Sequence, residues 1–438
     1  MESLSRDFDG EAFDKYIFPN IVKNNSQYRK RFHIDNYSDI RIAYSRGDYT
    51  KLPEYQFLND SKFDQKKENL NQLENFVAND STLQPVVRKL YLDKIAEKKK
   101  LLDLVRCASN ARQNSKIGWD SSLEFVKLNE ELFGLPESSI FNQLLQVIES
   151  DLCSLPTKVH ESVQFKSIAK IFSGRNDSSV QSYNAFPVAC MPMEGPFLVE
   201  AEDVVSFFYK EMSAAGINNW QVVVSEKSID SFRVSITKKT VFVPKSSVLK
   251  SRRGNRRLTP NVLRGLFNHE ILTHVVRAIN GSQSKLQLLS VGLAGYLKGE
   301  EGIATYREQQ CSVHNDYSGG TMYFAIALAY GLDQGGQKRN FNEVYEILSN
   351  YFWLKYEGLE KFAKRKAFAT CARIFVLGHP DNQPLVLTHD ILYRKGNIEI
   401  NNLLKNKPEY NTKLDLGKYD PNNGNHVEAL TSLGILTF

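Results

Sequence analysis

Hydrophobic and polar positions in the first part of the chain mostly follow the period of a helix. Over residues 61–155 apolar side chains recur every three or four positions, and turn-forming residues interrupt them. The helical segments are residues 86–107, 121–133 and 138–152. The first 60 residues have only weak periodicity. This pattern predicts an irregular extension over residues 1–60 and a helical layer over residues 61–160.

The pattern changes after a further helical segment near residues 202–214. Runs of alternating or β-branched residues predict short strands. These runs are residues 220–225, 231–237 and 241–244. Turn formers over 173–196 predict a linker or rim segment before them. We therefore predict an α+β fold, mainly helical, whose main domain spans residues 161–438 and has a small antiparallel sheet beside the next helix.

That next helix carries the residues with the clearest chemistry. Pro260 fits its first position and Gly281 is a usual C-terminal stop. Between them lie His269, Glu270 and His274. A zinc hydrolase needs two neutral imidazoles as metal ligands and a carboxylate beside them that takes a proton from metal-bound water.

The two histidines are five residues apart, whereas the familiar pair is four apart. On a regular α-helix this spacing rotates the two rings roughly 140° from each other, too far to share one ion. Either the pattern is a coincidence of composition, or the helix contains a one-residue π-type insertion that restores a shared face. A chance match is on the order of one per cent, which disfavours coincidence.

A third ligand is expected about thirty residues further on. Residues 299–304 open a second helical stretch, and Glu301 fits the role of the acidic ligand that leaves a fourth position for water. Glu308 lies seven residues further along the same face. It is placed to be an outer partner of a ligand histidine or of a basic residue, with a plain surface ion pair as an equal alternative.

Composition excludes several classes of protein. The 438 residues are 42% hydrophobic and 24% charged, and they contain no apolar stretch long enough to span a membrane. The polar, acidic start does not fit a signal peptide, and five scattered cysteines do not form a disulfide framework. We therefore expect a cytoplasmic protein that is not inserted in a membrane.

The net charge of +6 attracts acidic partners only where it is focused on one surface. The densest block is residues 245–257, which is either a solvated loop or a binding surface for an acidic chain. Its candidate tail-binding residues are Arg252, Arg253, Arg256 and Arg257. No aromatic interleaving or known binding module accompanies the block, so nucleic acid is not predicted as a partner.

Two blocks of the sequence, residues 267–281 and 292–304, carry a family resemblance. They resemble the microtubule-associated tyrosine carboxypeptidase family, whose bacterial relatives have a Gln-Glu-Gly-Leu-Ala motif. In this chain Glu300 and Ile303 replace the Gln and the Leu of that motif. The similarity extends from about residue 124 to residue 404, with weaker matches outside the two blocks.

The resemblance implies a gluzincin-like zinc carboxypeptidase that removes a C-terminal tyrosine from tubulin tails. It implies that His269, His274 and Glu301 bind one Zn²⁺ and that Glu270 is the general base. The resemblance also implies that the partner is an acidic protein or peptide C-terminus, such as that of tubulin. The expected location is the cytoplasm, in association with microtubules.

A carboxypeptidase must also bind a free terminal carboxylate, for which a guanidinium fork is the best donor. Arg277 has a structural alternative, as an ion-pair partner of Glu308. Tyr393 lies in a block similar to the family's distal portion and has no assigned role. The carboxylate-binding candidates are Arg277, Arg233, Arg373 and Lys245, and the candidate oxyanion donors are Tyr296 and Tyr306.

Two alternatives to tubulin-tail cleavage remain open. One is a bacterial-type relative with the same zinc chemistry on another peptide or protein. The other is a non-catalytic binding protein whose metal is structural, although an intact Glu270 counts against it because a structural zinc needs no base. For a peptidase, we expect the substrate to extend the sheet at the edge formed by residues 241–244.

Overall fold

A computed structural model describes most of the chain outside its N-terminal segment. The described residues are 36–49, 53, 61–112, 116–172, 200–226, 232–235, 238–250, 258–311, 316–377 and 384–437. The predicted linker at 173–196 lies outside them. The four candidate tail-binding arginines, Arg252, Arg253, Arg256 and Arg257, also lie outside them.

Helices make up the N-terminal part of the described chain. They are α1 (Tyr37–Ser45), α2 (Ser61–Asn79), α3 (Pro85–Asn110), α4 (Lys116–Phe133), α5 (Ser138–Cys153), α6 (Thr157–His160) and α7 (Val163–Phe172). The three helical segments predicted from periodicity are confirmed as α3, α4 and α5. Helix α1 lies in the region predicted to be irregular. It is ordered by its aromatic side chains, since Tyr44 is buried against Phe341 and Tyr345.

The sheet forms directly after the next helix. Its elements are α8 (Ala201–Ala214), β1 (Gln221–Val224), β2 (Arg233–Ser235), β3 (Thr240–Val243) and the short α9 (Ser246–Lys250). The strand order is β1-β3-β2, with β1 parallel and β2 antiparallel to β3. The sheet is therefore mixed, and the prediction of an antiparallel sheet is wrong. Strand β3 is largely buried and takes the centre, where neighbours cover both of its edges.

The central position of β3 also contradicts the expected place for a substrate. Val241 and Phe242 pair with β1 on one side and with β2 on the other, so β3 is a central strand and not an edge. Val241, Val243, Phe267 and Ile271 are buried in one apolar cluster. The sheet therefore lies beside the histidine-bearing helix, as the sequence predicts.

The remaining elements complete a mainly helical α+β fold. They are α10 (Pro260–His269), a π-helical segment (Glu270–Val275), α11 (Val276–Gln283), a 3₁₀ turn (Gln287–Ser290), α12 (Leu297–Gln309), α13 (Gly320–Ala329), α14 (Phe341–Lys355), α15 (Glu360–Ile374), β4 (Phe375–Leu377), β5 (Leu385–Val386), α16 (Ile391–Asn406), the 3₁₀ turns Pro408–Thr412 and Leu414–Leu416, and α17 (Gly424–Ser432). Gly281 does not end its helix as predicted. It allows close packing instead, since a Cβ there would lie 2.4 Å from the backbone of Leu289.

The N-terminal helices share their cores with later elements. Helices α2 and α3 bury one apolar cluster with residues 286–293 and α17, and α5 and α7 bury another with α13 and α14. The helical layer is thus packed into the rest of the described chain. Across the described residues, no helix has both the length and the apolar character needed to cross a bilayer.

Helices α12 and α16 cross at two glycines. A Cβ on Gly302 would lie 2.5 Å from the carbonyl carbon of Gly396, and a Cβ on Gly396 would lie 2.1 Å from the carbonyl oxygen of Lys298. Real Cβ atoms do not approach backbone so closely, so this contact fixes the position of α12 against α16.

We expect Gly396→Ala to lower the free energy of unfolding by about 1–3 kcal/mol, because the added methyl group forces the two helices apart. Chemical denaturation measures the loss. Gly424→Ala is the matched control, since a Cβ there meets no atom within 4 Å. Equal stability of the two variants would contradict the close crossing.

Candidate metal centre

The π-helical segment determines where the two histidines point. The backbone N–H of Val276 reaches Ile271 O, five residues earlier, instead of forming only regular α-helical bonds. This wider turn brings the imidazole rings of His269 and His274 to a centroid separation of 5.2 Å. Of the two explanations for the five-residue spacing, the structure contains the π-type insertion.

Side chains stabilise the wider turn. A helix that changes its bonding pattern leaves carbonyl groups without their usual N–H donors. The hydroxyl of Thr273 donates to Asn268 O at 3.0 Å, and the guanidinium of Arg307 on α12 donates to Leu272 O. The insertion is therefore held both locally and from the neighbouring helix.

Glu301 faces both histidines from α12. Its Oε2 atom lies 3.7 Å from His269 Nε2 and 3.9 Å from His274 Nε2. One ligand atom from each of the three residues fits within a span of 4.8 Å. Ligand atoms of a tetrahedral zinc site, each about 2 Å from the ion, are roughly 3.4 Å apart, so the three groups need little movement to share an ion.

The chemistry of the three groups also fits a metal ion. Glu301 Oε2 is buried, and among the described residues it has no hydrogen-bond donor, a costly state for a carboxylate oxygen. Both histidines use Nδ1 for hydrogen bonds to other carboxylates, which leaves Nε2 toward Glu301. Two imidazoles and one carboxylate are a common ligand set of catalytic zinc.

An outer carboxylate orients each histidine. Glu308 Oε2 lies 2.8 Å from His269 Nδ1, and Glu300 Oε1 lies 2.8 Å from His274 Nδ1. The placement of Glu308 corresponds to the predicted outer partner. The role of Glu300 was not predicted, because this residue stands out in the sequence only as a replacement of the Gln of the family motif. The feature that could have indicated this role is the position of its acidic side chain directly before Glu301 in the sequence.

The alternative role of Arg277, an ion pair with Glu308, is wrong. Arg277 donates to Glu300 Oε2 and, at 2.7 Å, to Tyr419 O. The physical reason is that α12 runs antiparallel to the histidine helix. Residues after His274 therefore meet the start of α12, and Glu308 lies near its other end.

Lys418 completes the surroundings of Glu300, at 2.9 Å from its Oε1. Burial alone would raise the pKa of Glu300, but Lys418 and Arg277 hold it well below its usual range. Glu300 is therefore ionised and accepts from His274. Lys418 is far from the other site residues along the chain, so the sequence does not predict this contact.

The carboxylates around His269 favour positive charge. Burial alone would lower the pKa of His269, but Glu308, Glu270 and Glu301 raise it to about 10. A bound divalent cation would meet the same demand for positive charge. Desolvation raises the pKa of Glu270, and Glu301 and Glu308 add to the rise while the two histidines oppose it. A raised pKa suits a general base that must later release its proton.

Of the other predicted site residues, Arg277 and Tyr296 lie beside Glu300, and the rest are dispersed. The side chain of Arg277 is fully buried, which removes it from the candidates for binding a substrate carboxylate. Arg373 forms an ion pair with Asp390, and Tyr306 packs against the small cluster around Ile303. The remaining placements are Arg233 exposed on β2, Lys245 exposed after β3, Tyr393 against Gly319, and Tyr296 at the N-cap of α12.

We expect deletion of Thr273 to yield a folded protein, because removing one residue from a π-helical segment restores a regular helix and keeps both flanks in register. Deletion of Leu266 from the regular α10 is the matched control. It should rotate the preceding residues by about 100° and prevent cooperative folding. Thermal unfolding followed by circular dichroism distinguishes the two variants, and equal disruption would contradict the account of the insertion.

Comparison with known proteins adds a family to this geometry. A search of curated proteins and a search of solved structures each give no match. A family model described as microtubule-associated tyrosine carboxypeptidase matches residues 199–438, more than half of the chain. The match starts later than the similarity predicted from about residue 124, and it continues past residue 404. The chain belongs to the microtubule-associated tyrosine carboxypeptidase family.

Proposed function

We propose that this chain is a zinc-dependent carboxypeptidase that removes a C-terminal tyrosine from an acidic protein tail such as that of α-tubulin. The observation that carries the proposal is the approach of Glu301 Oε2 to the Nε2 atoms of both histidines, with Glu270 next in the chain to His269. Family membership supports the carboxypeptidase reaction and the tyrosine.

In this proposal His269, His274 and Glu301 hold one Zn²⁺, which when bound polarises a water molecule and the scissile carbonyl group. Glu270 accepts the proton of the attacking water and passes it to the nitrogen of the departing residue. Glu308 and Glu300 fix the two imidazoles through Nδ1, so that each presents Nε2 as a ligand atom.

In this proposal the substrate tail binds along β2. This strand is at the edge of the three-stranded sheet in the described part of the chain, and it contacts the π-helical segment. An extended peptide can add to such an edge by backbone hydrogen bonds. The exposed Arg233 on β2 would attract an acidic tail. We therefore propose β2, in place of β3, as the strand that binds substrate.

We expect Glu270→Gln to lower tyrosine release from an acidic peptide ending in Glu-Glu-Tyr by about 10²–10⁴-fold, because the amide cannot act as general base. Zinc content should stay at one ion per chain. Mass spectrometry of the peptide and metal analysis measure the two quantities. Unchanged activity would refute the role of Glu270.

The terminal residue of the peptide separates the proposal from its closest alternative. A panel of peptides that differ only in the last residue should show fastest release of tyrosine. Equal or faster release of another residue would favour the same zinc chemistry on a different substrate. Zinc binding without cleavage of any peptide or of intact tubulin would favour a binding protein.

We expect His274→Ala to lose zinc and activity together, because two protein ligands hold the ion far more weakly than three. His160→Ala is the matched control, since His160 stacks on Phe165 at the helical layer and belongs to no group of metal-binding side chains in the described chain. Zinc analysis after dialysis provides the measurement. Full zinc retention in His274→Ala would place the ion elsewhere.

A further inference from the structure

A tight turn, residues 293–296, precedes the helix that carries Glu300 and Glu301. Tyr296 is the N-cap residue of α12, and its carbonyl accepts from the N–H of Glu300 at 3.0 Å. A displacement of this turn therefore displaces the start of α12, which carries Glu300 and Glu301. The position of the turn matters directly to the metal centre.

The catalytic part of the chain binds one side of the turn. The N–H of Leu293 donates to Lys418 O at 3.1 Å, and His426 Nε2 donates to Ala294 O at 2.9 Å. Lys418 Nζ also lies 5.9 Å from the centre of the Tyr296 ring. These contacts leave the N–H of Gly295 for another element.

That element is α3, which lies outside the residues matched by the family model. Glu97 Oε1 accepts from the N–H of Gly295 at 2.7 Å. Lys94 Nζ donates to Leu293 O at 3.2 Å and lies 4.8 Å from the centre of the Tyr296 ring. Glu97 Oε2 and Lys94 Nζ form an ion pair of 2.5 Å. The two side chains bind the turn at three points.

Lys94 and Glu97 are charged side chains in a largely buried place, and removing such charges from water costs free energy. The side chain of Lys94 is 1% exposed and that of Glu97 is 17% exposed. Lys98, one turn further along α3, is also buried. Burial and the neighbouring Lys94 lower the pKa of Lys98 to about 7. Burial alone would raise the pKa of Glu97, but Lys94 and Lys98 lower it, so Glu97 is ionised. Apolar packing can often replace a buried ion pair without loss of stability, whereas removing one partner leaves a buried charge uncompensated, so Lys94 and Glu97 depend on each other at this turn.

We propose that Lys94 and Glu97 are positioning residues of the metal centre: they hold the turn at 293–296 and thereby set the place of Glu301 and Glu300. The inference rests on the proposed function, since the property that it explains is zinc affinity. It assigns a part in catalysis to the N-terminal helical layer, which the family match does not cover.

The test compares Glu97→Ala with Asp93→Ala in the full chain. Asp93 lies on the same helix in an exposed ion pair with Lys89 and touches no part of the turn. We expect Glu97→Ala to weaken zinc binding, measured by chelator competition, by about tenfold, the lower end of the range for outer partners of metal ligands. Amide hydrogen exchange at residues 295–301 should become faster. Asp93→Ala should change neither quantity, and zinc affinity and exchange equal to those of Asp93→Ala would overturn the proposal.

Should Glu97→Ala fail to fold, Lys94→Met replaces it. This variant removes the donor to Leu293 O and keeps Glu97 on Gly295, so we expect a smaller loss of zinc affinity and faster exchange at 293–301. Zinc affinity and hydrogen exchange equal to those of the wild-type chain would overturn the proposal. A wild-type chain that takes up no zinc would refute the proposed function, whereas the exchange comparison, which needs no metal, would still decide whether α3 holds the turn.

Discussion

The candidate metal centre depends on one extra residue in a helix. Two imidazoles five positions apart can face the same carboxylate only if the helix widens between them, and the π-helical segment provides this widening. The wider turn is stabilised because Thr273 and Arg307 donate to carbonyl groups that the change in bonding leaves without their usual donors. Since Arg307 belongs to α12, the helix that supplies Glu301 also stabilises the turn that supplies the histidines.

The antiparallel approach of α12 explains the charges around the site. It places Glu308 behind His269 and Glu300 behind His274. Glu300 is itself held by Arg277 and Lys418. Each imidazole is thus fixed through Nδ1, away from Glu301, and for His274 this contact is supported by ion pairs that lie deeper in the protein. The centre is organised by packed helices, and this arrangement favours precise ligand placement.

The sequence predicted the features that arise from local patterns. Periodicity located α3 to α5, and the spacing of His269 and His274 required either coincidence or the insertion that the structure contains. Features that depend on tertiary arrangement were not predictable in the same way. The central place of β3 follows from packing of a short apolar strand, and the pairing of Arg277 with Glu300 follows from the direction of α12. The burial of Lys94 at the turn of residues 293–296 likewise has no signature in the sequence, because lysines on a helix normally face water.

X-ray absorption spectroscopy at the zinc edge of the purified chain tests the central claim most directly. The account predicts one zinc ion with two imidazole nitrogen ligands and carboxylate or water oxygens, at about 2.0–2.2 Å. It also predicts that the imidazole signal falls by half or disappears in His274→Ala. A spectrum without imidazole ligands, or one that His274→Ala leaves unchanged, would contradict the account.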